Sequence, residues 1–202
     1  MQDLVVLVAD KNMQFALQGA LGRPQSLGIR PLTWEIRPHM GRDGGVRTSG
    51  ADVLACDAGR FSHALMLLDF HGCGHEERET SLTLEEKLDD QLQLVWGARA
   101  KSIVIAPEVD IWLWGTDSAL HEALHWSAEE SIRDWLRHRG FKFDAAGKPL
   151  QPKEAMEAVC RAQKRPRSSA IYERITRRVS LQHCTDQTFQ RLRAQLLGWF
   201  AP

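Results

Sequence analysis

The sequence lacks most of the patterns that would narrow its chemistry at once. Its four cysteines (Cys56, Cys73, Cys160, Cys184) form no C-x-x-C pair. They show no short framework spacing either, which leaves reduced thiols as the simple expectation. No apolar run approaches the ~20 residues of a membrane span; the longest is Leu4–Ala9. No basic stretch precedes that run and Asp3 does, so a signal peptide is not expected and a cytoplasmic protein is. Neither G-x-x-x-x-G-K-[ST] nor a G-x-G-x-x-G after a strand occurs, which removes the phosphate-cradling loops of common nucleotide binders. There is also no G-x-S-x-G nucleophile elbow. Internal repeats and low-complexity tracts are missing as well.

Net charge is missing too, since 26 Lys+Arg balance 26 Asp+Glu. The balance conceals an asymmetry: residues 1–147 carry 15 basic against 22 acidic groups, a net of −7, and residues 148–202 carry 11 against 4, a net of +7. An acidic front beside a basic back fits a metal-binding or internally paired first part and an anion-facing second part. Two solvated faces that attract each other account for the same numbers.

What is present reads as an α/β chain. Leu4–Ala9 is a continuous apolar run, the pattern of a strand buried on both faces of a parallel sheet. Helical spacing over Asn12–Leu21 follows. Leu32–Ile36 alternates as a second strand, His63–Leu68 reads as a third and Ser102–Ala106 as a fourth, with an acidic helix near Leu84–Val95 between the last two. Pro38–Gly50 is rich in glycine and reads as loop, with a short helix over Ala51–Gly59. Beyond residue 110 only helices are expected: Ser118–His125, Ala128–Arg139 opened by a Ser127/Glu130 capping box, Pro152–Ala162, Ser169–Val179 and Asp186–Leu197. Strand and helix alternating at this spacing predict a parallel sheet of about four strands with a C-terminal helical cap. The expected division is an α/β core over 1–115 and a helical extension over 116–202, packed as one compact unit.

Ligands of open α/β sheets bind at the carboxyl ends of the strands. Here Asp10 follows the first strand, Asp69 the third, and Glu108 with Asp110 the fourth. A parallel sheet brings these distant acids to one edge. Clustered carboxylates repel unless a cation or a shared proton relieves them, and hard Mg²⁺ or Mn²⁺ suits such oxygen ligands. The expectation is that Asp10, Asp69 and either Glu108 or Asp110 come within one metal site's reach. Asp at a strand end also caps the following helix, which explains Asp10 alone equally well.

The order VVLVAD, LMLLDFHG and PEVDIWLWG resembles the small TOPRIM-like proteins of bacterial restriction and anti-phage defence islands. In that group an E-x-W-L-hydrophobic motif follows the fourth strand, and Asp110-Ile111-Trp112-Leu113-Trp114 occupies it here. Lys148-Pro149, Pro152-Lys153-Glu154-Ala155, Tyr172, Cys184 and Phe189 resemble the helical tail of the same group. More narrowly, the chain is similar to an accessory component of a methylation-associated defence system. The resemblance implies a TOPRIM-like fold, a divalent-metal-dependent phosphodiesterase or nuclease, and partner subunits of a defence complex. Its catalytic residues would be Asp10, Asp69 and Glu108, and its Mg²⁺ or Mn²⁺ ligands Asp10, Asp69, His71, Glu108 and Asp110. Two positions depart from the family pattern: Asp10 stands where a Glu acts as general acid/base, and the D-x-D pair reads Asp69-Phe70-His71. Those departures make a non-catalytic subunit the alternative.

Three further features carry weaker readings. His121-Glu122-Ala123-Leu124-His125 matches H-E-x-x-H, in which two helical histidines bind zinc and the Glu polarises water. An exposed polar helix face explains it as well, and Ala128 and Ser131 stand where the longer zinc motif has Gly and His. His71-x-Cys73-x-His75 offers three zinc-capable groups on one loop. Lys148, Lys153, Lys164, Arg165 and Arg167 could hold the phosphates of a nucleic acid.

Overall fold

The computed structural model describes residues 1–202. Four strands form one all-parallel sheet in the order β2-β1-β3-β4: β1 Gln2–Val8, β2 Trp34–Pro38, β3 Phe61–Asp69 and β4 Ala100–Ile105. Val6 sits beside Ile36 on one side and Leu65 on the other, and Leu67 beside Ile103. The inner stretches of the two central strands β1 and β3 are wholly apolar because helices cover both faces of a parallel sheet. Leu4–Val8 and Ala64–Leu68 are buried throughout.

The connections are helical: α1 (Lys11–Leu21), the single turn α2 (Pro24–Leu27), α3 (Arg42–Ala55) and α4 (Ser81–Trp96). The remainder is α5 (Asp117–Leu124), α6 (Ile132–His138), α7 (Pro152–Ala162), α8 (Ser169–Thr176) and α9 (Gln187–Trp199). One apolar core runs from Leu4 to Phe200, so the late helices share the core of the sheet. The main seam is α8 on α1. It needs Gly19, where a Cβ would stand 2.0 Å from Thr176 Oγ1 and 2.8 Å from the Glu173 carbonyl. Arg23 fastens the same seam by donating to the carbonyls of Thr176 and Val179 at 2.9 and 2.8 Å. No helix is long and apolar enough to cross a membrane.

Two stretches differ from the sequence expectation. Only residues 39–41 of the stretch Pro38–Gly50 are loop; α3 begins at Arg42 and ends at Ala55, short of Gly59. The glycines serve close packing rather than turning: a Cβ on Gly50 would lie 2.5 Å from Met66 Sδ, and one on Gly45 2.4 Å from His39 Nδ1. Tertiary contact thus overrides their poor helix propensity. The helix expected from Ala128 starts only at Ile132, capped by Ser131, whose hydroxyl accepts from the Asp134 N–H. Residues 128–130 are instead held in a bend by the Trp126 indole, which donates to the Glu130 carbonyl at 2.9 Å. The helix expected to reach Val179 stops at Thr176.

The strand order creates a switch point. From β1 the chain first moves to β2 on one side, then to β3 on the other. The loops leaving β1 and β3 therefore part in opposite directions and open a crevice at their carboxyl ends, where open α/β sheets bind ligands.

Candidate functional site

That crevice is a pocket of about 430 Å³ lined by Asp10, Asp43, Asp69, Glu108 and Asp110, with His71 beside them and Arg42, Lys153 and Arg167 as its cations. The four strand-end acids singled out from the sequence, Asp10, Asp69, Glu108 and Asp110, all reach it, and so does His71. Asp10 follows β1 and caps α1, its Oδ1 accepting the Met13 N–H at 2.9 Å. Asp69 ends β3, and its Oδ1 accepts the Val109 N–H at 2.8 Å. Glu108 and Asp110 follow β4, just before and on the 3₁₀ turn Val109–Leu113 respectively. The loop after β3 is tied to the loop after β4 by backbone bonds from Phe70 N–H to the Ile105 carbonyl and from His71 N–H to the Pro107 carbonyl, at 2.7 and 3.0 Å.

Asp43, in the first turn of α3, belongs to the site and was not among the sequence candidates. Its Oδ1 accepts the Asp69 N–H at 2.8 Å, so the second strand also contributes an acid to the edge. Placing Pro38–Gly50 in a loop hid this residue. The recurring pattern of strand, short link, acid was the available signal. Its neighbour Arg42 opens α3 with φ +51°, a left-handed backbone conformation that side chains seldom adopt.

The helical cap closes the far wall. Tyr172 of α8, the only tyrosine in the chain, donates its hydroxyl to Asp110 Oδ1 at 2.6 Å. Arg167 in the link between α7 and α8 bonds Glu157 at 2.9 Å and stands 3.9 Å from Asp110 Oδ2. Lys153 enters from the start of α7.

Burial and mutual repulsion push these acids upward. Asp69 is raised well above the usual carboxylate range, first by burial, then by the charge of Asp43, with Asp110 and Glu108 adding to it. Glu108 is pushed up to about 7, by burial and then by Asp110. Burial also raises Asp110, against the pull of Arg167 and Tyr172, and raises Asp43 against the hydrogen bond from Asp69 N–H. Tyr172 is itself raised by burial and by Asp110.

The donor chemistry fits a hard divalent cation: several carboxylates, each left with an oxygen not committed to a backbone N–H. No three His, Cys, Asp or Glu side chains close into a ready-made metal cage, however. Mg²⁺ rarely needs one, because it keeps several waters and takes one or two carboxylates together with substrate phosphate oxygens. Asp10, Asp43 and Asp69 are the residues placed to supply those carboxylates, whereas Glu108, pushed up to about 7, is placed to carry a proton.

The competing patterns come apart. Helix α5 ends at Leu124, and His125 takes a left-handed conformation at φ +52°, so His121 and His125 do not share the helical face that zinc would require. His121 Nε2 accepts the Ile132 N–H at 3.3 Å, Glu122 pairs with Arg178 at 2.7 Å, and His125 faces Arg174 at 3.3 Å. In the 71–75 loop, turned by positive φ at Gly72 and Gly74, Cys73 is buried and His75 is engaged by Glu79 at 2.6 Å. The nucleic-acid candidates divide: Lys153 and Arg167 line the acidic pocket and Lys164 and Arg165 are exposed, whereas Lys148 is buried elsewhere and cannot reach a phosphate backbone. Trp112 and Trp114 are core residues, their indole N–H groups donating to Asp186 and to the Pro152 carbonyl.

Fold and site together define an α/β protein with a carboxylate pocket at the switch point of a four-stranded parallel sheet. No protein-family model matches the chain, and neither does any curated protein or solved structure.

Proposed function

We propose that the chain is a divalent-metal-dependent phosphodiesterase acting on nucleic acid, a TOPRIM-like cytoplasmic component of a bacterial anti-phage defence system that works with partner subunits. The observation that carries this reading is the meeting of acids from all four strand ends with Arg42, Lys153 and Arg167 in one pocket. Carboxylates alone would describe a cation site. Carboxylates flanked by cations suit a phosphate diester, whose oxygens need both a metal and positive side chains.

A bound Mg²⁺ or Mn²⁺, held by Asp10, Asp43 and Asp69, would supply charge neutralisation for a phosphoryl transition state. Lys153 and Arg167 orient the phosphate. Glu108, pushed up to about 7, is a proton carrier near neutral pH: as carboxylate it takes a proton from the attacking water, and as acid it returns one to the departing oxygen. Hydrolysis balances as one water consumed, one P–O bond formed and one broken.

The test is cleavage of labelled single- and double-stranded DNA and RNA with Mg²⁺ or Mn²⁺. The expected result is cleavage that Asp69→Asn removes while salt-sensitive binding remains, since counterion release depends on the basic groups. Absence of cleavage by the folded wild-type chain, alone and with its partner subunits, overturns the catalytic reading.

A non-catalytic subunit is the second reading, and one observation favours it. Asp10, Asp43, Asp69 and Asp110 each give an oxygen to an internal hydrogen bond, and Arg167 stands beside Asp110, so the edge partly satisfies itself. On that reading Mn²⁺ has no effect on stability and the edge docks a basic partner.

A further inference from the structure

The cap holds the only Lys or Arg side chain that is buried and lacks a hydrogen-bond acceptor. Lys148 is 6% exposed and its Nζ has no hydrogen-bond partner. The nearest carboxylate oxygen, Asp186 Oδ2, is 3.7 Å away. The other oxygen of Asp186 is already committed, accepting from the Trp112 indole at 3.1 Å, from the Phe189 N–H at 2.9 Å and from the Thr188 hydroxyl.

Lysine at a surface normally extends its ammonium into water. Lys148 is prevented by its backbone: its N–H donates to Asp144 Oδ1 and its carbonyl accepts the Asp144 N–H, both at 2.8 Å. The Asp144–Gly147 turn therefore fixes the residue with its side chain inward. It lines a cavity of about 220 Å³ walled by Trp112, Trp114 and Phe189, and the exposed residues Ala146 and His183 stand at its mouth. Both indole N–H groups are spent on protein acceptors, so the tryptophans present ring surface to the cavity. Trp112 and Phe189 meet edge to face at 5.3 Å. No residue is shared with the acidic pocket.

We infer that this cavity binds a small planar aromatic carboxylate, its ring against Trp112, Trp114 and Phe189 and its carboxylate accepting from Lys148 Nζ. Size supports a single ring system: a cavity of ~150 Å³ admits benzene, and this one is larger by the volume of a polar substituent. Flat aromatic walls favour a flat aromatic body. Charge selects the head group. One desolvated ammonium calls for one negative charge, and the Asp186 carboxylate beside it opposes a dianion.

Calorimetric titration of the full chain with benzoate and its uncharged amide, benzamide, tests this. The carboxylate is expected to bind saturably and the amide at least about 10-fold more weakly, the usual cost of exchanging a charge-assisted hydrogen bond for a neutral one. Lys148→Met should weaken the carboxylate by a similar factor, and Ala146→Trp, placed at the exposed mouth, should block both ligands. Equal binding of acid and amide, carboxylate binding unaffected by Ala146→Trp, or no saturable binding by wild type overturns the proposal. If Lys148→Met fails to fold, the acid-to-amide ratio and Ala146→Trp decide the matter alone.

Discussion

At the carboxyl edge of the sheet, residues as far apart as Asp10 and Asp110 line one pocket, whereas His121 and His125, four positions apart, do not share a helical face. The edge is positioned by strand register, which depends on dozens of buried apolar groups. The histidine pair depends on one helix lasting one residue more than it does, and His125 in the left-handed region ends it. Long-range order set by a buried sheet is the sturdier basis for reading a site. A short local motif is only as good as the helix beneath it.

The largest expected contrast is in activity. Asp69→Asn should lower metal-dependent cleavage by at least about 10²-fold, the scale on which loss of transition-state electrostatics acts; His121→Ala and His125→Ala should stay within about twofold. Rates on a labelled oligonucleotide decide it, and equal losses at both places would erase the distinction.

Next is the tie between cap and edge. Tyr172→Phe removes the hydroxyl that holds Asp110, and a hydrogen bond to a charged group is worth about 1.5–3 kcal/mol. That bond favours the carboxylate form of Asp110, so the loss should be greater at pH 8 than at pH 5, measured by denaturant unfolding. A loss independent of pH would mean that Asp110 keeps one protonation state throughout.

The pH dependence of the wild type separates the two regions again. Glu108, raised to about 7 when folded against an ordinary value of 4.5, binds protons more tightly in the native state. Its contribution is complete below about pH 4.5 and is lost as pH rises through about 7. Asp43, Asp69 and Asp110 are shifted in the same direction. Thermal melts should therefore fall between pH 5 and 8, by about 1–2 kcal/mol for Glu108 after allowance for its partial exposure, and millimolar Mn²⁺ should recover part of the loss at pH 8. A flat profile would remove the repulsion from the account.

The smallest effect is at His121. Its ring accepts the first N–H of α6 in a 3.3 Å bond, so His121→Ala should cost about 0.5–1 kcal/mol in unfolding free energy. Metal content should not change.

Much of this was legible in the sequence. The apolar runs around Val6, Leu67 and Val104, the first two running straight into Asp10 and Asp69 and the third separated from Glu108 by Pro107 alone, carry both the parallel sheet and its edge. Pro152–Ala162 is bounded in the structure by the same residues that the letters suggest, because Pro152 opens it and its apolar spacing is regular. Three things were not legible. Asp43 lay hidden because the glycines of α3 look like loop until Met66 and His39 are packed against them. The partner of Asp110, Tyr172, lies 62 residues away on a helix whose docking depends on Gly19. Lys148 looks like surface until the Asp144 turn folds it inward. Each depends on a tertiary contact that no local pattern encodes.

The charge asymmetry also takes a definite form. Arg191 pairs with buried Glu85 at 2.9 Å, Arg178 with Glu122 at 2.7 Å, and Arg167 approaches Asp110. Part of the basic tail is thus spent on the acidic front, and Lys153, Lys164 and Arg165 remain outside those pairs.

The central claim is that the edge acids are held together for a cation. Titration of Mn²⁺ into the wild type and into Asp69→Asn at pH 7.5, followed by the electron-spin signal of free Mn²⁺, tests it most directly. The account predicts saturable binding by the wild type that Asp69→Asn loses, even as relief of carboxylate repulsion raises the melting temperature of the variant. Equal binding by the two proteins, or none by the wild type, would contradict it.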